Sequence, residues 1–91
     1  QFVQILDKTR NIIQEIDNEA RIKRLTDILN RAVLDDDMND GRMIKMKAAE
    51  RTIKIIFRDE NKIYVQLWDN LMRINQIWYR LDRKQLEETL R

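Results

Sequence analysis

The chain contains one glycine, Gly41, and no proline. These two residue types interrupt helices and form most tight turns, so their near absence favours long helices over a sheet with many turns. Hydrophobic residues make up 43% of the chain, which is too many for a disordered chain, and charged residues make up 37%, which is more than in an average globular domain. We therefore predict a single all-α domain over residues 1–91. Because the sequence begins at Gln1 without an initiator methionine, we expect this domain to be part of a longer chain.

The first predicted helix spans residues 2–34. Apolar and small residues recur there at alternating steps of three and four, which is the spacing of one helix face. They are Phe2, Ile5, Thr9, Ile12 and Ile16, followed by Ile22, Leu25, Leu29 and Ala32. The phase slips by one residue at residues 17–19, where we expect a kink because no strong helix breaker is present.

An acidic turn follows at residues 35–41, where four aspartates, Asn39 and Gly41 supply turn and capping chemistry. The second predicted helix spans residues 42–90, since an apolar stripe continues through it. The stripe consists of Met46, Ala49, Ile53, Ile56, Ile63, Leu67, Leu71, Ile74, Trp78 and Leu81. The fold expected is a long antiparallel helical hairpin, with helices of roughly 50 and 74 Å. The polar cluster at residues 58–62 leaves an alternative, in which a break there gives a three-helix bundle.

The segment 63–81 carries two apolar stripes on different sides of the predicted helix. One neighbouring helix covers one stripe, so the second stripe indicates a further partner. The sequence thus predicts a protein-interaction or assembly module that contacts another helix or a second copy of itself. We assign the contacts to Trp68, Met72, Trp78 and Tyr79, and the internal core to Leu67, Leu71 and Ile74. The alternative is that both tryptophans are simply core residues.

A basic ridge on the second predicted helix supports a different function. It consists of Lys47, Arg51, Lys54, Arg58 and Lys62. Such a ridge predicts an anion-binding module for RNA or an acidic membrane surface, although a solvated face explains it as well. On a helix the aromatic residues fall on another side, so arginines interleaved with stacking surfaces are not expected.

Catalysis is not expected, because histidine, cysteine and serine are absent. An EF-hand placed with Gly41 at its sixth position has Met38 and Lys47 at ligand positions, so we expect no calcium or other metal site. We also expect no cofactor and no small-molecule substrate. Without cysteine the chain forms no disulfides, and it has no apolar segment long enough to span a membrane. We expect an intracellular, cytoplasmic protein.

Overall fold

The structure is a computed structural model that describes residues 1–41 and 47–91. The described residues form one seven-stranded antiparallel sheet and three short helices. In chain order these are β1 (Phe2–Leu6), β2 (Ile12–Ile16), α1 (Glu19–Asn30), β3 (Val33–Leu34), α2 (Asp36–Asn39), β4 (Arg51–Ile56), β5 (Lys62–Trp68), β6 (Leu71–Ile74), β7 (Ile77–Arg80) and α3 (Arg83–Leu90). The strand order is β2-β1-β4-β5-β6-β7-β3, so β4 to β7 form a continuous meander.

The predicted all-α fold is wrong, both as a hairpin of helices 2–34 and 42–90 and as a three-helix bundle. The longest extent of the molecule is 38 Å, well below the length of either predicted helix. The polar cluster at residues 58–62 does reverse the chain, but between strands β4 and β5. Met46, where the second apolar stripe was expected to begin, lies outside the described residues.

Strands form in the second half because side chains alternate between two environments. Ile53 and Ile55 of β4 are buried, Ile53 directly opposite the buried Val65 of β5, whereas Lys54 between them faces the other side. Alternation with many β-branched residues is the pattern of a half-buried strand. The step of three from Ile53 to Ile56 resembles a helix face, although these two residues lie on opposite faces of the sheet.

The hairpin turns use left-handed residues other than glycine. In the β1–β2 turn the amide of Asp7 donates to Asn11 O (2.9 Å), the amide of Arg10 donates to Asp7 O (3.0 Å), and Arg10 has φ 65°. Residues 57–61 repeat this geometry, with Glu60 at φ 68°. Glycine usually occupies such positions, so its rarity misleads a prediction that counts glycines.

One face of the sheet, termed the inner face, is covered by α1 and α3. Side chains from both helices join the inner-face side chains in a single core. Its buried members are Val3, Ile5, Ile16, Ile22, Leu25, Ile28, Leu29, Ile53, Ile55, Val65, Leu67, Met72, Leu81, Leu86 and Leu90. Burial of this apolar surface stabilises the sheet and leaves its opposite face, termed the outer face, open.

Part of the first predicted helix is correct. Ile22, Leu25 and Leu29 do share one buried helix face, but the helix is the shorter α1. It begins where a kink was expected, because the Asn18 side chain accepts a hydrogen bond from the Arg21 amide and caps the helix. None of the described helices has the length and apolarity required to cross a membrane.

Candidate functional site

The open outer face is built from rows of side chains that run across the strands. The central row takes one residue from each of five neighbouring strands, in the order Leu6, Thr52, Gln66, Arg73 and Trp78. One flanking row contains Gln4, Lys54 and Tyr64, and the row on the other side contains Trp68, Leu71 and Arg80. None of these side chains is buried.

Two tryptophans and one arginine form the centre of this surface, here termed the Trp–Arg cluster (Trp68, Arg73 and Trp78). The two indole centroids are 4.9 Å apart and their planes are inclined by 41°. The guanidinium carbon of Arg73 lies 5.9 Å from the Trp68 centroid and 5.5 Å from that of Trp78. Arg73 Nε also donates to Gln66 Oε1 at 3.1 Å, which fixes the guanidinium position. The result is a half-buried cation–π group on the outer face of the sheet.

Hydrogen bonds from outside the meander hold both tryptophans in place. Trp68 Nε1 donates to the carbonyl of Lys47 at 2.6 Å. The backbone amide of Trp78 donates to Asn39 Oδ1 (2.8 Å), and Asn39 Nδ2 donates to the Trp78 carbonyl (2.9 Å). Because Asn39 ends α2, this short helix fixes the edge of β7 and orders the Trp–Arg cluster before any ligand binds.

Positive charge surrounds the aromatic rings. The outward-facing positions of the strands carry Lys54, Lys62, Arg73 and Arg80 against one carboxylate, Glu15. Arg80 Nε lies 3.7 Å from Asp35, whereas the other three cations form no ion pair within residues 1–41 and 47–91. Lys54 Nζ lies 5.9 Å from the ring centroid of Tyr64, which is 51% exposed. The face therefore favours an anionic ligand.

A pocket of about 420 Å³ opens on this face beside the Trp–Arg cluster. Its lining includes Arg10, Tyr64, Gln66, Arg73, Asn75 and Gln76. Its described lining contains no carboxylate. Arg10, Asn75 and Gln76 all lie in turns and have left-handed backbones, with φ of 65°, 50° and 67°. These three residues thus accept a backbone strain that glycine would avoid, and their polar side chains line the pocket.

Two other cavities border α1, one beside the β4–β5 turn and one beside α3, and have less distinctive linings. The larger, of about 860 Å³, is bordered by both charge signs, including Arg58 and Glu19, whose ion pair measures 3.7 Å. The smaller is rich in arginine, but Arg21 already caps the end of α3 by donating to the carbonyls of Thr89 and Arg91. The larger cavity also contains Phe57 and Lys23, but neither cavity has two indole rings with a guanidinium over them as the outer face does.

The four predicted contact residues do not share one surface. Trp68 and Trp78 lie on the outer face, whereas Met72 is 1% exposed and Tyr79 packs against the core. The assembly module predicted from a helical apolar face is wrong, because residues 63–81 form strands. Of the residues predicted to form the internal core, Leu67 is buried, Ile74 packs against the core, and Leu71 faces outward.

The predicted basic ridge is also wrong, because residues 47–62 do not form a helix. Lys54 and Lys62 reach the outer face. Arg51 lies on the inner face and pairs with Glu87 of α3 at 3.2 Å, and Arg58 sits in the β4–β5 turn. Lys47 precedes β4 and uses its carbonyl to hold Trp68. Sequence reasoning missed Tyr64 and Arg73; alternation of aromatic and basic residues at steps of two was the available signal.

The carboxylates with shifted pKa values do not line the pocket beside the Trp–Arg cluster. Burial raises the pKa of Glu87, but the hydrogen bond from Arg83 Nε (2.8 Å) and the charge of Arg51 outweigh it and hold the pKa below its usual range. The pKa of Asp7 is lowered by hydrogen bonds from the Asn11 amide and the Thr9 hydroxyl. Both groups therefore stabilise the fold rather than serve the site.

The acidic turn acts as a cap. Asp35 Oδ1 accepts from the Met38 amide at 3.1 Å and so begins α2. Within the described ranges no group of three acidic residues is placed to hold a metal ion.

Fold and site define a small antiparallel β protein, with helices on one sheet face and an aromatic, cationic surface on the other. Comparison with protein-family models, curated proteins and solved structures gave no match.

Proposed function

We propose that this protein binds single-stranded nucleic acid on the outer face of its sheet and has no catalytic activity. The observation that carries the proposal is the placement of Arg73 over Trp68 and Trp78, in the same surface as Tyr64 and Lys54. Bases would stack on the aromatic rings or on the guanidinium plane, while the cations contact phosphates.

The chemistry of single strands suits this surface better than that of a duplex. Proteins bind unpaired strands by alternating aromatic platforms with positive charge, and each stacked base contributes about 1–3 kcal/mol. A duplex hides the faces of its bases and offers mainly phosphates. The exposed rings of the outer face would then remain unused.

The charge on this face supports an anionic ligand over a neutral one. Lys54, Lys62 and Arg73 have no carboxylate partner among the described residues, so a ligand phosphate meets little competition. Contacts with phosphate release counterions and make binding strongly dependent on salt. An intracellular location remains part of this proposal, since single-stranded RNA is abundant there.

The test is fluorescence anisotropy with labelled single strands of about ten nucleotides, in RNA and DNA form. We expect binding at about 50 mM salt that weakens at least tenfold at about 200 mM. Trp78→Leu keeps apolar volume but removes the stacking ring, and we expect it to weaken binding about tenfold.

Charge-matched controls separate the outer face from the rest of the surface. Lys54→Gln should weaken binding, whereas Lys23→Gln, which removes the same charge from an exposed position on α1, should not. Absence of binding at low salt contradicts the proposal. Equal loss in the two lysine variants, or binding to acidic vesicles in place of oligonucleotides, contradicts it as well.

A further inference from the structure

We infer that the pocket beside the Trp–Arg cluster receives one guanine base of the bound strand and selects it over the other bases. This inference rests on the proposed function, because it assigns a base to a pocket on the same face. The pocket volume, about 420 Å³, lies within the range of sites that hold small organic ligands. It therefore has room for a base with part of its sugar.

The lining is rich in donors, which favours guanine. Arg10 borders the pocket, and a guanidinium group pairs in bidentate fashion with the adjacent O6 and N7 acceptors of guanine, while Arg73 adds positive charge to the lining. Adenine carries an amino donor beside N7, and cytosine presents an amino donor at its corresponding edge. Two arginines without a lining carboxylate therefore disfavour both of these bases.

The amides of the pocket complete the recognition of guanine. Gln66 Oε1 is occupied by Arg73 Nε, so its amide nitrogen remains as a donor. Asn75 and Gln76 each offer a side-chain carbonyl that can accept from N1–H and from the N2 amine of guanine. Tyr64 supplies a ring at the pocket wall for stacking.

Turn geometry brings these groups together. The β1–β2 turn places Arg10 at the pocket, and the β6–β7 turn places Asn75 and Gln76 there. Glu60 occupies the same left-handed position as Arg10 in the analogous β4–β5 turn but does not line the pocket. The pair Arg10 and Glu60 therefore provides matched sites, one inside the proposed subsite and one outside it.

The test compares an all-uridine strand with strands that carry a single guanosine, adenosine, 7-deazaguanosine or inosine at the same place. We expect guanosine to tighten binding by about five- to 100-fold, as one bidentate contact does. Replacement by 7-deazaguanosine, which lacks the N7 acceptor, should remove most of the gain. Inosine, which lacks the N2 amine, should remove part of it.

Variants then locate the effect. Arg10→Gln should abolish the preference for guanosine, so that strands with and without guanosine bind this variant equally, whereas Glu60→Gln should keep the preference. If no strand binds, the proposed function fails together with this inference. If all strands bind equally, or if adenosine gives the larger gain, the inference alone is overturned. Persistence of the preference in Arg10→Gln also overturns it.

Discussion

Arg73 of β6 lies directly across from Trp78 of β7, with its guanidinium carbon 5.5 Å from the indole centroid. The same guanidinium is 5.9 Å from Trp68, which lies on β5 at the other side of Arg73. The antiparallel register of three strands therefore assembles the Trp–Arg cluster. Successive members of the cluster are five residues apart in the chain. Two tight hairpins in a row bring such residues side by side.

Replacement of Arg73 by glutamine tests the cation at the centre of the site. We expect Arg73→Gln to weaken binding of single strands about tenfold and to lower the slope of log affinity against log salt by about 0.7, the contribution of one phosphate contact. Arg24→Gln, at an exposed position of α1, is the control of equal charge and should leave the slope unchanged. An unchanged slope in Arg73→Gln would show that this guanidinium does not contact phosphate. Anisotropy titrations at several salt concentrations measure both quantities.

Glycine at the left-handed turn positions should stabilise the fold. Arg10 and Glu60 have φ of 65° and 68°, a conformation that costs residues with a Cβ about 1 kcal/mol or more. We expect Glu60→Gly and Arg10→Gly each to raise the free energy of unfolding by about 0.5–1 kcal/mol, measured by urea denaturation. Only Arg10→Gly should also weaken binding of guanosine-containing strands. Destabilisation in both variants would show that Arg10 and Glu60 do not have the left-handed backbone conformation.

The sequence is sufficient to predict helix α1 but not the strands that precede it. Ile22, Leu25 and Leu29 follow helical spacing and Asn18 is a capping residue, so this helix could be recognised. The strands before it could not, because Phe2, Ile5 and Ile12 happen to follow steps of three and four as well. In the sheet, Phe2 and Ile5 lie on opposite faces.

Turn chemistry explains why the strands were missed. Hairpins usually reveal themselves through glycine, whereas here an aspartate side chain performs the same task. Asp7 Oδ1 accepts from the amides of Thr9 and Asn11, which holds the turn while Arg10 takes the left-handed position. Asp59 similarly accepts from the Asn61 amide. An Asp followed two or four residues later by an Asn in a polar segment was the available signal.

The candidate site depends on pairing between strands, which local sequence patterns do not reveal. On a helix, residues five apart are separated by roughly 140° around the axis, so Trp68, Arg73 and Trp78 would point in different directions. In the meander they form one surface. The aromatic and basic residues were therefore identified separately, but their combination required the register of β5, β6 and β7.

Acid should destabilise the protein partly through Glu87. This carboxylate accepts from Arg83 and lies 3.2 Å from Arg51, and its pKa is held below the ordinary value of 4.5. A lowered folded-state pKa gives stability that is present above about pH 4.5 and is lost as the pH falls through the folded-state value.

The variant Glu87→Gln isolates this contribution. At neutral pH we expect it to lower the free energy of unfolding by on the order of 1 kcal/mol, since Arg51 and Arg83 lose their partner. In acid the difference from the unaltered protein should vanish, because both side chains are then uncharged. Urea denaturation across the pH range measures this convergence. A difference that stays constant down to the lowest pH would contradict the role assigned to Glu87.

Removal of the Asn39 side chain should disturb the site at its edge. Asn39 makes two hydrogen bonds to the backbone of Trp78, so Asn39→Ala leaves the Trp78 amide without this acceptor, while the carbonyl still accepts from the Asp35 amide. We expect the free energy of unfolding to fall by about 1–3 kcal/mol. The near-ultraviolet circular dichroism of the tryptophans should also weaken, as Trp78 gains freedom relative to Trp68. Asn30→Ala, at the exposed end of α1, is the matched control and should change stability by no more than about 0.5 kcal/mol. Because Asn39 lies outside the meander, an unaltered tryptophan spectrum in Asn39→Ala would show that the strands alone order the Trp–Arg cluster.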